Sequence, residues 1–165
     1  MNLPNYIVCP STRKPLRLDE DDRQLRVVGG DDRSYSVVDG VPVLLARARE
    51  REALSDDIAS HCVDFRQAFY NQRTDERYLS CQPKHQELIR KIVEEHRIKG
   101  PSLEIGSGRG HLQDLAPEYV AIDYSFENLR QFISRDYTRI CASAERLPIA
   151  SDSMELVYPA VYVRT

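Results

Sequence analysis

The sequence predicts an α/β chain in which a small β-rich domain and a helical connector precede a parallel sheet with crossover helices. Three observations carry that expectation. Over residues 1–46, short runs of strand formers are separated by turn residues. Over residues 47–100, apolar side chains recur at helical spacing. From residue 101 to 165, short apolar strands alternate with helical segments, the pattern of a parallel sheet. A chain of 165 residues, 41% hydrophobic and 30% charged, can build a packed core and fits one domain, or a small domain joined to part of a second.

In the first zone the strand formers are Tyr6-Ile7-Val8, Leu16-Arg17-Leu18, Leu25 to Val28, Tyr35 to Val38 and Val41 to Leu45. Pro10, the acidic run Asp19 to Asp22, Gly29-Gly30-Asp31-Asp32 and Asp39-Gly40 supply the turns. So short a unit buries little apolar surface and is expected to lean on a metal, a partner or the next domain. In the second zone, Arg47 to about Arg73 lacks Pro and Gly and spaces Leu54, Ile58, Cys62, Phe65 and Phe69 as a helix face. A second helix is expected to start near Pro83 and to end at Gly100-Pro101.

In the third zone Leu103-Glu104-Ile105 reads as a strand, Gly108 to Leu115 as the opening of a helix, and Tyr119 to Ile122 as the next strand. Phe126 to Ile133 repeats the helical period. Arg139-Ile140-Cys141 and Met154 to Tyr158 complete four expected strands.

Formal net charge is −3, and no segment forms a basic arm, so nothing in the sequence points to nucleic-acid binding. No apolar run reaches the roughly 18 residues of a membrane span, and the N-terminus lacks a signal pattern, so the expected compartment is the cytoplasm. Cys9, Cys62, Cys81 and Cys141 are too scattered for a disulfide framework or a zinc-knuckle pair and read as reduced, structural thiols. His61, His85, His96 and His111 share no ligand spacing, and no metal is expected. His111 alone adjoins a candidate site, while Tyr70 and Tyr78 read as packing residues with a cofactor contact as the alternative.

The chemistry concentrates in Glu104-Ile105-Gly106-Ser107-Gly108-Arg109-Gly110, between an expected strand and an expected helix. Glycines let the backbone turn sharply and approach a ligand, which would rest beside helix amides. A dinucleotide fingerprint places its third glycine where this chain has His111, so the pyrophosphate reading weakens. Asp123 ends the next strand, 17 residues after Gly106, where a carboxylate suits the hydroxyls of a ribose. Its alternative is to cap the helix beginning near Phe126, a role Ser125 fills equally well. Ala142 to Ile149, followed by Ser151 to Val157, forms the third piece.

In that order and spacing, residues from about Ser102 to Val157 resemble the first half of the Rossmann-like fold of class I S-adenosylmethionine-dependent methyltransferases, in the group called type 11. The resemblance implies S-adenosylmethionine as cofactor and methyl transfer to an unidentified acceptor. It implies that Glu104, Gly106, Ser107, Gly108 and Gly110 face the methionine end, that Asp123, with Tyr124 beside it, serves the ribose, and that Ser143, Ala144 and Glu145 border the adenine. Where Ser143 stands the family commonly shows an aspartate. No general base is identified. The family's sheet continues beyond the four strands counted, so this chain reads as an incomplete form expected not to turn over by itself.

Cys9-Pro10-Ser11-Thr12-Arg13-Lys14-Pro15-Leu16, with Tyr35 to Leu45, resembles the small zinc-ribbon-like activators of tRNA methyltransferases, in their zinc-less form. Thr12 stands where the metal-binding form carries a second cysteine, so Cys9 reads as a small buried hydrophobe. That resemblance leaves a second function open: a non-catalytic activator whose N-terminal domain docks on a partner methyltransferase.

Overall fold

The computed structural model describes residues 3–45 and 76–159, with side chains of the second stretch from Pro83 onward. The helix expected over Arg47 to Arg73, with Tyr70, His61 and Cys62, lies outside the described residues, as do the side chains of Tyr78 and Cys81.

Turn chemistry builds the head. Strands β1 (Leu16–Leu18), β2 (Gln24–Val27), β3 (Ser34–Val38) and β4 (Val41–Pro42) form an antiparallel sheet in the order β1-β2-β3-β4. The Asp19 carboxylate accepts from the amides of Arg23 (2.9 Å) and Gln24 (3.1 Å), closing the β1–β2 turn. Asp39 and Gly40, both at positive φ (49° and 73°), form the two-residue turn that sets Val38 opposite Val41. Period-two alternation buries Leu25, Val27 and Tyr35 and leaves Arg26 exposed. Two expected strands are shorter than read. Tyr6-Ile7-Val8 makes only isolated bridges, Ile7 to Ile149 and Val8 to Pro15. In the run Val41 to Leu45 regular pairing ends at Pro42, which cannot donate to a ladder; the Val43 amide still donates to Ser36 O of β3 (2.8 Å), while Val43 also bridges Cys141 in parallel and the Leu44 amide donates to Cys141 O (2.8 Å).

Helix α1 spans Glu76–His96 with Pro83 inside it, so Pro83 does not open the helix as expected. The preceding residues contain neither Gly nor another Pro, and the helical run absorbs the loss of one amide donor. Gly100-Pro101 ends the connector as read, fixed by the Glu155 carboxylate, which accepts from the amides of Lys99 (3.1 Å) and Gly100 (2.5 Å).

The second sheet is wholly parallel: β5 (Ser102–Ile105), β6 (Tyr119–Asp123), β7 (Thr138–Cys141) and β8 (Leu156–Pro159), in the order β7-β6-β5-β8. The last strand begins two residues later than the Met154 start read from the sequence. Helix α2 (Phe126–Phe132) joins β6 to β7, its N-terminus capped by the Ser125 hydroxyl, which accepts from the Asn128 amide at 3.3 Å. The helix expected over Gly108 to Leu115 is a chain of turns instead. Amides of Gly110, Gln113 and Leu115 donate to carbonyls three residues back. Gly106, Gly108 and Gly110 all adopt left-handed φ (77°, 53°, 69°), which no α-helix accommodates. At Gly110 a Cβ would also collide with Ile133.

Alternation along β6 decides the layers. Val120 and Ile122 join Leu103, Ile140 and the head's Ile7, Leu25, Val27 and Leu44 in one buried cluster. Tyr119 and Ala121 face the other way, against Ile89 of α1, Leu112, and Leu129 and Ile133 at α2. The head therefore covers one face of the parallel sheet, and the helices and turns cover the other, joined there by Val41 of β4. On the head's side residues 142–155 cross from β7 to β8 with only a 3-10 turn, Ala144–Arg146. Tyr6 to Val8 zips onto this crossover: Val8 N donates to Pro148 O (2.9 Å) and Ala150 N to Tyr6 O (2.8 Å). Arg13 adds donors to the carbonyls of Leu147 (2.5 Å) and Ile149. Among the described residues no helix is long and apolar enough to cross a membrane.

Candidate functional site

The chain runs outward from β5 to β6 to β7 and then returns to place β8 on the other side of β5. Ligands of open α/β sheets bind outside the carboxyl ends of strands at such a reversal. The three sequence-predicted pieces follow the carboxyl ends of three adjacent strands: the glycine loop after β5, Asp123 and Tyr124 at the end of β6, and Ser143 to Glu145 after β7.

The glycine loop is pinned to the end of β6. Amides of Gly106 and Ser107 donate to Ile122 O (2.7 and 3.1 Å), and the Gly108 amide donates to Asp123 Oδ2 (2.7 Å). Asp123 Oδ1 accepts from the Ser125 amide at 2.7 Å. Asp123 is therefore no cap of α2; Ser125 holds that place, and the carboxylate clamps the loop. With these amides committed, and no regular helix after the loop, the expected row of free helix amides is missing there, and a phosphate cradle with it. What remains for a ligand is the two carboxylates and nearby hydroxyls.

Glu104 is fully buried on the helical face, where the Tyr119 hydroxyl donates to its Oε2. Burial, with Asp123 adding like-charge repulsion, pushes its carboxyl up to about 7 despite the Tyr119 hydrogen bond. Burial also raises Asp123, against the backbone hydrogen bonds of Ser125, Gly108 and Tyr124. No cationic side chain pairs with either carboxylate among the described residues. The Ser107 hydroxyl is buried without a hydrogen-bond partner, and so is the hydroxyl of Tyr158, which stands in register with Glu104 on β8. Burial and then the Glu104 charge hold the Tyr158 phenol well above its ordinary range.

Ser143 is spent locally: its hydroxyl accepts from the Glu145 amide (3.2 Å) and caps the 3-10 turn, leaving Ala144 and Glu145 exposed beside the strand ends. The His111 carbonyl accepts from Gln86 Nε2 (2.9 Å), tying the loop to α1. Burial, then Arg109, lowers the His111 imidazole. Tyr119 and Tyr158 were not read as site residues. Both sit in expected strands, but only the strand order sets them beside Glu104.

In the head, Cys9 is buried with Sγ 3.1 Å from the Tyr35 hydroxyl. Burial raises its thiol, yet hydrogen bonds involving Thr12, Tyr35 and the Ser11 backbone leave it below the ordinary value. No group of three His, Cys, Asp or Glu side chains gathers as a metal site among the described residues.

Comparison with known protein families, with curated proteins and with solved structures finds no match to this chain.

Proposed function

We propose that this chain is the S-adenosylmethionine-binding part of a class I S-adenosylmethionine-dependent methyltransferase with a Rossmann-like fold, whose methyl acceptor is unidentified. One observation carries the reading: two buried carboxylates, without a cationic partner among the described residues, flank a glycine loop at the strand-order reversal. Such a pair favours a ligand with positive charge and hydroxyl donors and disfavours a phosphorylated nucleotide. S-adenosylmethionine carries a sulfonium, an ammonium and a ribose diol, and when bound it supplies an electrophilic methyl group. Glu104 and Ser107 would hold the amino-acid end. Asp123 keeps unused acceptor capacity on both oxygens for the ribose hydroxyls, and residues 143–145 would border the base. What the protein contributes is position. The residues supply no assigned general base.

The activator reading places the head on a partner. Here the head's apolar side is buried on its own sheet and its edge is zipped to its own crossover, which supports a role within the chain. Calorimetric titration with S-adenosylmethionine and its demethylated product tests the proposal. Binding is expected, weakened by roughly 1.5–3 kcal/mol in Asp123→Ala through loss of charge-assisted hydrogen bonds. Wild-type affinity in Asp123→Ala and Asp123→Asn sinks the ribose assignment; no binding of either compound to folded protein sinks the function.

A further inference from the structure

A second buried charge lies away from this site. Arg139, the second residue of β7, is 5% exposed. Its Nη2 donates to the Asp39 carbonyl at 3.2 Å, and its buried Nε has no hydrogen-bond partner. The Asp39 carboxylate does not neutralise it: that group is half exposed and lies 3.9 Å from Arg130. Burial, then the neighbouring charge of Arg135, disfavours the Arg139 cation, with Asp39 only partly opposing them. Arginine does not answer such pressure by losing its proton, as a carboxylate does by gaining one. A buried guanidinium without a counter-charge is costly, and an anion from outside relieves that cost.

The surroundings have room for one. Arg139 lines a pocket of about 290 Å³ between the head and the residues leading into β7. Arg135 and Thr138 contribute further donors, and the Thr138 hydroxyl stands 3.4 Å from that of Tyr6. Gly40 borders the same pocket at a point where a side chain would begin 3.5 Å from Nη2. Asp136 is the acid in the lining; it is exposed and accepts from the Ser134 hydroxyl.

We propose that this pocket is a second ligand site, which takes the phosphate group of a small phosphorylated molecule. A planar guanidinium backed by a second arginine and a hydroxyl matches a tetrahedral oxyanion better than a lone carboxylate. The volume exceeds what one phosphate fills and leaves space for an attached organic group. The site is separate from the glycine loop, since it opens where β7 begins and not at the carboxyl ends of the strands.

The test is calorimetric titration of the whole chain with inorganic phosphate and with glycerol 3-phosphate, in buffers matched in ionic strength with sodium chloride, and with sodium acetate as the carboxylate control. Saturable 1:1 binding of both phosphates is expected, with the ester at least as tight and acetate clearly weaker. Arg139→Gln should weaken phosphate about tenfold or more, and the exposed Arg135→Ala by a few-fold. Should Arg139→Gln fail to fold, the Nε–H resonance of Arg139 in the wild type decides, since it must shift on adding phosphate. An unmoved resonance, unchanged affinity in both variants, or an equal response to chloride overturns the site; equal binding of acetate overturns its phosphate specificity.

Discussion

Two buried charges of opposite sign sit on neighbouring parts of one parallel sheet, and they are handled differently. Glu104 has a tyrosine donor on one side and a second tyrosine, Tyr158, in register on the next strand, and it can take up a proton. Arg139 has one backbone carbonyl and cannot discharge itself. A buried carboxylate is thus a pH-dependent element even without ligand, whereas a buried guanidinium is a standing demand for an anion. Neither is the pattern of a purely structural ion pair, which would bring its own partner.

The largest expected effect separates the two by pH. The folded-state value for Glu104, about 7, lies above its ordinary 4.5, so folding takes up a proton between them. The stability this contributes is fully present below the ordinary value and is lost as pH rises through about 7. Urea unfolding should therefore show the protein more stable at pH 5 than at pH 8 by roughly 3 kcal/mol from this group. Asp123, also raised, adds in the same direction. Glu104→Gln should flatten most of that slope; a slope unchanged by the substitution would show that Glu104 titrates as an ordinary carboxylate.

Next in size is Tyr119→Phe, which removes the one donor that the ionised Glu104 has from a side chain. A loss of about 2 kcal/mol is expected at pH 8, shrinking by pH 5, where the neutral acid no longer needs it. A cost independent of pH would assign Tyr119 to packing alone. The smallest effect has the opposite sign. In buffer free of oxyanions, Arg139→Met should stabilise the protein by ~1 kcal/mol, because an unpaired buried charge is replaced by an apolar chain of similar length. Destabilisation there would mean that Asp39 already compensates the guanidinium, and the comparison with Glu104 would fall.

Legibility followed the range of the interactions. The strands β5, β6 and β7 and the turns Asp19–Asp22 and Asp39-Gly40 were readable because alternation and turn chemistry act over a few residues. The glycine loop, Asp123 and Ser143 were likewise picked out locally, and the fold brings them to adjacent strand ends. Two expectations about helices failed. Gly108 to Leu115 carries helical apolar spacing, but the left-handed Gly108 and Gly110 override it. Pro83 looks like a helix start, yet the helix already runs through it.

Local pattern was enough to divide the chain into a β-rich head and a parallel sheet, and to single out Glu104 in one strand, Asp123 at the end of the next, and the lone thiol at Cys9. Only the tertiary structure decided that the head lies on the sheet and braces the 147–150 segment through Arg13. It also set the Tyr119 hydroxyl on Glu104 with Tyr158 in register beside it, and buried Arg139 at a pocket with no carboxylate paired to it among the described residues. Each of these depends on which strands become neighbours. Period-two alternation fixes the face a residue occupies but is silent about what the next strand places beside it, because pairing energy is shared among residues far apart in the chain.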